Sequence, residues 1–182
     1  MSEKSKKVPK KVPKKVPKKI RPKFYIKHNG ELSEIIAGGV IIYRIVDNQV
    51  ELLLVFNRNK YEDFGGTVDI KDKDILETIA RETAEESNNL VSDSSILQRI
   101  KNHDYIVSKT SKYVLYIIEA TDAEAVLTSK EFGKRELHDD IPRTVHWVPL
   151  EKFLNAETIK NKLNFRLKNK HIFDYLKKID IR

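Results

Sequence analysis

Two near-continuous apolar runs limit what this chain can fold into. They are Leu52-Leu53-Leu54-Val55-Phe56 and Tyr113-Val114-Leu115-Tyr116-Ile117-Ile118. Side chains of a strand alternate between two faces, so a strand is apolar throughout only when both faces are covered. Each run is therefore expected to be an interior strand with other layers packed on both sides.

The flanking sequence supplies partners and covering elements. Val40–Val46 reads as a strand that turns at Asp47-Asn48-Gln49 into a hairpin partner, Val50–Phe56. Asn57–Asp63 reads as a polar loop. His103–Lys109 and Lys112–Ala120 read as a second hairpin turning at Thr110-Ser111, and Thr144–Val148 as a last strand. Ser92–Ser95 is a loop or a helix start, and Leu127–Ile141 is a long charged connection. Pro149 opens a short helix through Leu154, and Ile172, Phe173, Leu176 and Ile179 form the apolar stripe of a final helix. The expected fold is α/β, an α/β/α sandwich around a mixed sheet, occupying residues 24–182.

Charge divides the chain. The formal net charge is +8, yet residues 1–23 alone carry +10 through ten Lys and Arg21 against Glu3. Residues 156–182 add +5, which leaves 24–155 at −7. The first segment repeats Lys-Lys-Val-Pro. Proline at every fourth position forbids a helix, so residues 1–23 are expected to be a disordered, extended basic tail. Such a tail is a solubilising segment, an import-like signal or a phosphate-tracking arm for RNA or DNA. No apolar run is long enough for a membrane span, and the lysines at the start lack the apolar core of a secretory signal. With no cysteine, the expectation is an intracellular protein, cytoplasmic or nuclear, and not a secreted one.

A helix from about Asp74 to Ser87 follows from an N-cap at Asp74, a capping box with Glu77, and the stripe Ile75, Leu76, Ile79, Ala80, Thr83, Ala84. Asn88 and Asn89 suit its C-terminal cap. Its acids are costly. Glu82 and Glu86 stand one turn apart, at roughly 0.2–0.5 kcal/mol for a like-charged pair. With Glu85 they also oppose the helix dipole, at about 0.3–1 kcal/mol each. Either this is a solvated acidic face, or a divalent cation removes the cost. Arg81 lies one turn from both Glu77 and Glu85 and could hold the cluster in shape.

The stretch Gly65–Leu90 resembles the Nudix box, G-x5-E-x7-R-E-U-x-E-E-x-G-U. Arg81, Glu82, Glu85 and Glu86 match its R-E-U-x-E-E core in register, and Gly65-Gly66 match its opening glycine. Asp72 replaces the first Glu, and the following loop is one residue longer. Thr83 stands at the aliphatic position and Asn88 at the closing glycine.

The resemblance implies the Nudix fold and hydrolysis of a nucleoside diphosphate linked to another group, with Mg²⁺ or Mn²⁺. It implies Glu85 and Glu86 as the leading metal ligands, Glu82 as a further ligand or a base, Glu82 and Glu85 as catalytic carboxylates, and Arg81 as an orienting residue. Gly66 would bring the backbone close to metal or phosphate. Candidate bases are Glu131 and Glu136, with His138 and His146 open on chemistry alone. Arg44, Arg58 and Lys60 are the basic residues nearest the box in sequence and are candidate phosphate contacts. Tyr43, Tyr61 and Trp147 could stack on a base or simply pack. The expected substrate is a nucleotide derivative. The alternatives are an RNA 5′ end held through residues 1–23, and a Nudix-fold binding protein without catalysis.

Overall fold

A computed structural model describes residues 21–155 and 159–180, and most of the Lys/Pro tail, residues 1–20, lies outside the described residues. The two apolar runs are central strands. Strand β3 (Ala37–Val46) turns into β4 (Gln49–Asn57) and pairs with it antiparallel from Ile42–Leu53 to Val46–Gln49. Strand β8 (Tyr113–Glu119) lies parallel to β3 on its other side, from Ala37–Tyr113 to Tyr43–Glu119. The edges are β5 (Lys60–Glu62) beside β4 and β7 (Tyr105–Ser108) beside β8, giving the order β5-β4-β3-β8-β7. Strand β6 (Phe64–Thr67) pairs with the start of β3, and β9 (Thr144–Pro149) runs along β4.

Alternation along these strands builds two cores. Val40, Ile42, Leu53, Val55, Val114, Tyr116 and Ile118 face helices α1 (Ile75–Glu86) and α2 (Asp93–Ile100). Ile41, Leu52, Leu54, Leu115 and Ile117 face a second cluster with Leu150, Phe153, Ile172 and Leu176. These come from α4 (Leu150–Leu154) and α5 (Lys170–Asp180); a single turn, α3 (Asp122–Ala125), precedes the long connection. The fold is thus an α/β/α sandwich around a mixed sheet, as expected. Among the described residues no helix is long and apolar enough to cross a membrane.

Several local expectations change. A hairpin of β1 (Phe24–His28) and β2 (Glu31–Ile35) precedes the sheet. Its turn is Asn29-Gly30, with φ of 49° and 81°, a strong hairpin signal that the sequence reading passed over. The polar loop Asn57–Asp63 contains β5, reached through Arg58 and Asn59 at φ 47° and 61°. Gly65 and Gly66, which follow that loop, lie in β6. Asp74 caps α1 by accepting from the Glu77 N–H at 2.9 Å, but Glu77 accepts from the Lys73 N–H, so the box is displaced by one residue. Leu76 is only partly buried, whereas Thr78 is fully buried and donates to Asp72.

Candidate active site

Helix α1 is seated by close backbone contact. A Cβ on Gly38 would lie 2.9 Å from the Ile79 side chain, and one on Gly66 would fall within 3.0 Å of the Glu82 carboxylate. The absence of a side chain at Gly66 therefore lets β6 press against the Glu82 carboxylate. Glu82, Glu85 and Glu86 emerge from α1 into a cavity of about 490 Å³.

Arg81 is the hub. Its Nε and Nη2 donate to the two oxygens of Asp72 at 3.0 Å each. Its Nη1 lies 3.0 Å from Glu82 Oε1 and 3.1 Å from Glu85 Oε2. The expected partner Glu77 binds Lys73 instead. Asp72 also accepts from the Asp69 N–H and the Thr78 hydroxyl, both at 2.8 Å. Burial pushes the Asp72 pKa up, but Arg81 and these donors outweigh it, so it sits below the usual range. Asp72, at the first acidic position of the pattern, is an anchor for Arg81.

Glu86 has a different environment. Its Oε2 accepts from the Gly65 N–H at 2.8 Å. Surrounding protein desolvates the carboxyl, and Glu82 and Asp63 add like charge, so its pKa is pushed well above the usual carboxylate range. Desolvation also raises Glu82, against the pull of Arg81, with Glu85 and Glu136 adding to the rise.

The long connection supplies Glu136, which lines the same cavity and is 8 % exposed. Its pKa is raised by desolvation and by Asp139 and Glu85. Glu131 is not part of the cavity: it is solvent-exposed and caps its own turn, accepting from Thr128 N at 2.7 Å and Thr128 Oγ1 at 2.8 Å. Of the two histidines, His138 lines the cavity beside Asp139, and His146 sits apart between Ser129 and Thr144.

The expected phosphate contacts are displaced. Arg44 is committed at the far end of β3, bonded to Glu51 at 2.7 Å and to the Ala125 carbonyl, with its guanidinium 4.2 Å from the centroid of the Trp147 ring. Arg58 is exposed in the β4–β5 turn, and Lys60 donates to the Asn161 carbonyl. Tyr61 packs on Phe56, and Trp147 donates to the Leu127 carbonyl. Nearness in sequence to the box did not translate into nearness in space. The cations that line the cavity with Arg81 are Arg21 and Lys71, and Arg21 donates to Thr67 Oγ1.

Sequence reasoning missed a buried network behind β6. Asp63, fully buried, accepts from the Tyr113 hydroxyl and lies 3.3 Å from Arg166 Nη2. Arg166 also lies 3.4 Å from Glu62 and 4.9 Å from the Tyr113 ring centroid. The signal was the doubled glycines: a Cβ on Gly39 would fall within 3.0 Å of both Asp63 and Tyr113. A larger cavity, about 750 Å³, opens along β7 near Lys109 and Arg166, away from the α1 carboxylates.

Among the described residues, no three Asp, Glu or His side chains are already converged as ligands on one point. Arg81 reaches between Glu82 and Glu85, and Glu86 is tied to Gly65. The residues nevertheless fit a hard divalent cation. They offer carboxylate oxygens, and burial raises the pKa of both Glu82 and Glu86, a cost to their ionised forms that a bound cation would offset.

No family model and no curated protein matches the chain. Among solved structures it is similar to a C. elegans Ap4A hydrolase binary complex, at 17% identity, covering 81% of this chain and 96% of that one, with a TM-score of 0.48. It is also similar to the NUDIX domain of Shewanella oneidensis NrtR complexed with ADP ribose, at 15% identity, 80% and 88% coverage and a TM-score of 0.46. NrtR from the same organism, complexed with a 27mer DNA, is 16% identical, with 79% and 61% coverage and a TM-score of 0.41.

Proposed function

We propose that this chain is a Mg²⁺- or Mn²⁺-dependent Nudix-type pyrophosphohydrolase that cleaves a nucleoside diphosphate linked to another group. One observation carries the reading: three α1 carboxylates and Glu136 share a cavity of about 490 Å³, within the usual range for a small-molecule site. Glu82, Glu85 and Glu86 would hold the cation, which would supply charge neutralisation for the pyrophosphate oxygens and a lower cost of ionising water. Arg81, fixed by Asp72, keeps Glu82 and Glu85 in place and limits the like-charge repulsion between them. Glu136 is the general base. Its carboxylate accepts the proton that water loses as the oxygen adds to phosphorus and the bridging P–O bond breaks. A raised carboxyl pKa suits that task, because a base works best near the ambient pH. Arg21 and Lys71 are the phosphate contacts.

Assay of a broad pyrophosphate panel, including Ap4A and ADP-ribose, with and without Mn²⁺ tests this. Metal-dependent release of phosphate-bearing products is expected. An inert wild type across the panel overturns the reading in favour of a binding protein that keeps the carboxylates for structure.

A second reading is favoured by Arg21. This residue belongs to the basic segment and lines the acidic cavity. The lysines that precede it in sequence would then supply phosphate affinity for an RNA 5′ end. Deleting residues 1–23 should weaken hydrolysis of capped RNA more than that of a free dinucleotide. An equal loss on both, or no loss, removes the RNA version.

A further inference from the structure

Asn88 stands where the resembled pattern closes with glycine. Its φ of 57° is left-handed, and its N–H bonds the Glu85 carbonyl at 3.1 Å, so it serves the helix end as glycine would. Its side chain does something glycine cannot. Nδ2 donates to the Phe132 carbonyl at 2.8 Å and to the Arg135 carbonyl at 2.9 Å. Oδ1 accepts from the Leu137 N–H at 2.9 Å. Arg135 and Leu137 flank Glu136 on either side, so one amide brackets the residue that adds a carboxylate of the long connection to the cavity. The same Phe132 carbonyl accepts from Arg143 Nη1 at 2.7 Å, and the Phe132 ring is fully buried in the α1-side core.

We propose that Asn88 is a positioning residue: it clasps the Phe132–Leu137 segment to the end of α1 and so fixes Glu136 against Glu82, Glu85 and Glu86. The α1 carboxylates and their clasp share one helix end, so three hydrogen bonds tie the base-bearing segment directly to the helix that carries the metal-holding groups. A segment that carries a base needs this. Misplacement of a catalytic group by about 1 Å can cost on the order of 100-fold in rate. The proposal rests on the hydrolase reading for its rate consequence, and on geometry alone for the clasp.

The test is Asn88→Gly, which keeps the backbone conformation and removes all three bonds, beside Asn89→Gly as a control. Asn89 is also left-handed, at φ 61°, and its N–H bonds the Ala84 carbonyl without a side-chain bond to the segment. In Asn88→Gly, kcat should fall about 10–100-fold with KM nearly unchanged. Adding Glu136→Gln should cost little more, because both changes remove one function. Hydrogen exchange over residues 128–141 should speed up, with the α1 amides unaffected. Asn89→Gly should match wild type in every respect.

Wild-type kcat in Asn88→Gly, or losses that multiply with Glu136→Gln, would overturn the positioning role. Unchanged exchange over 128–141 would overturn the clasp itself. Faster exchange together with a wild type inert on every pyrophosphate would overturn the hydrolase reading and uphold the clasp.

Discussion

Arg81 shows how a single guanidinium organises this site. It grips both oxygens of Asp72 and reaches Glu82 and Glu85 with the nitrogen that remains. Asp72→Asn keeps the size but loses the charge-assisted pair, and should cost roughly 1.5–3 kcal/mol in urea unfolding. The effect has a pH signature. The folded pKa of Asp72 is depressed, so its contribution is present above the ordinary Asp value of about 3.9 and is lost as pH falls through the folded value. The stability gap between wild type and Asp72→Asn should therefore close in acid; a gap that widens there contradicts this role. At this scale the sequence was legible where spacing is local. Arg81, Glu82, Glu85 and Glu86 lie within about one and a half turns of one helix, and a helix fixes that geometry. Arg44 and Arg58 were misplaced because strand length carries them away from the box: β3 pairs with β6 at Val40 and before, while Arg44 pairs with Glu51. Glu131 and Glu136 were indistinguishable in sequence, since only the turn that Glu131 caps separates them.

The elements of the site meet through glycine. Strands β3 and β6 pair Gly38 with Gly66 and Gly39 with Gly65, which lets α1 settle on one face and the Asp63–Tyr113 pair press on the other. Gly39→Ala would drive a methyl group into Asp63, Tyr113 and the Phe64 carbonyl within 3.0 Å. It should cost at least about 1–3 kcal/mol in thermal or urea unfolding, as overpacking of a tight core does. An unaltered midpoint would show that this contact relaxes freely. Helix α1 was legible because capping and an apolar stripe are both local signals. Strand β6 was not, because its two glycines read as loop unless their partners on β3 are known. The β1–β2 hairpin carried the Asn29-Gly30 signal but lies outside the main sheet, where no apolar run drew notice.

For the whole molecule, two runs of apolar residues were enough to imply a sheet covered on both faces, and two separate cores bear this out. The parallel pairing of β3 with β8 was not readable, since it spans a long crossover whose register no local pattern encodes. The same holds for Arg166, which joins Asp63 from 103 positions away. Burial of Glu86 within this frame should make stability pH-dependent when no divalent metal is bound. Its folded pKa is raised, so the folded state holds its proton more tightly than the unfolded chain. The contribution of Glu86 is therefore most favourable below the ordinary Glu value of about 4.3, and declines as pH rises through the folded value. Glu86→Gln lacks that decline. In calorimetry without divalent metal, its melting temperature should exceed that of wild type by a margin that grows from pH 5 to pH 8, and Mn²⁺ should narrow the margin by stabilising wild type alone. A margin independent of pH and metal would mean that Glu86 is not a strained carboxylate waiting for a cation.

The central claim is that the α1 carboxylates hold a divalent cation for pyrophosphate cleavage, and turnover by wild type and Glu86→Gln side by side, with and without Mn²⁺, tests it most directly. Wild type should require the metal, and Glu86→Gln should lose on the order of 100-fold or more in kcat while remaining folded. Equal turnover by the two proteins, or wild-type turnover that persists after complete chelation, would contradict it.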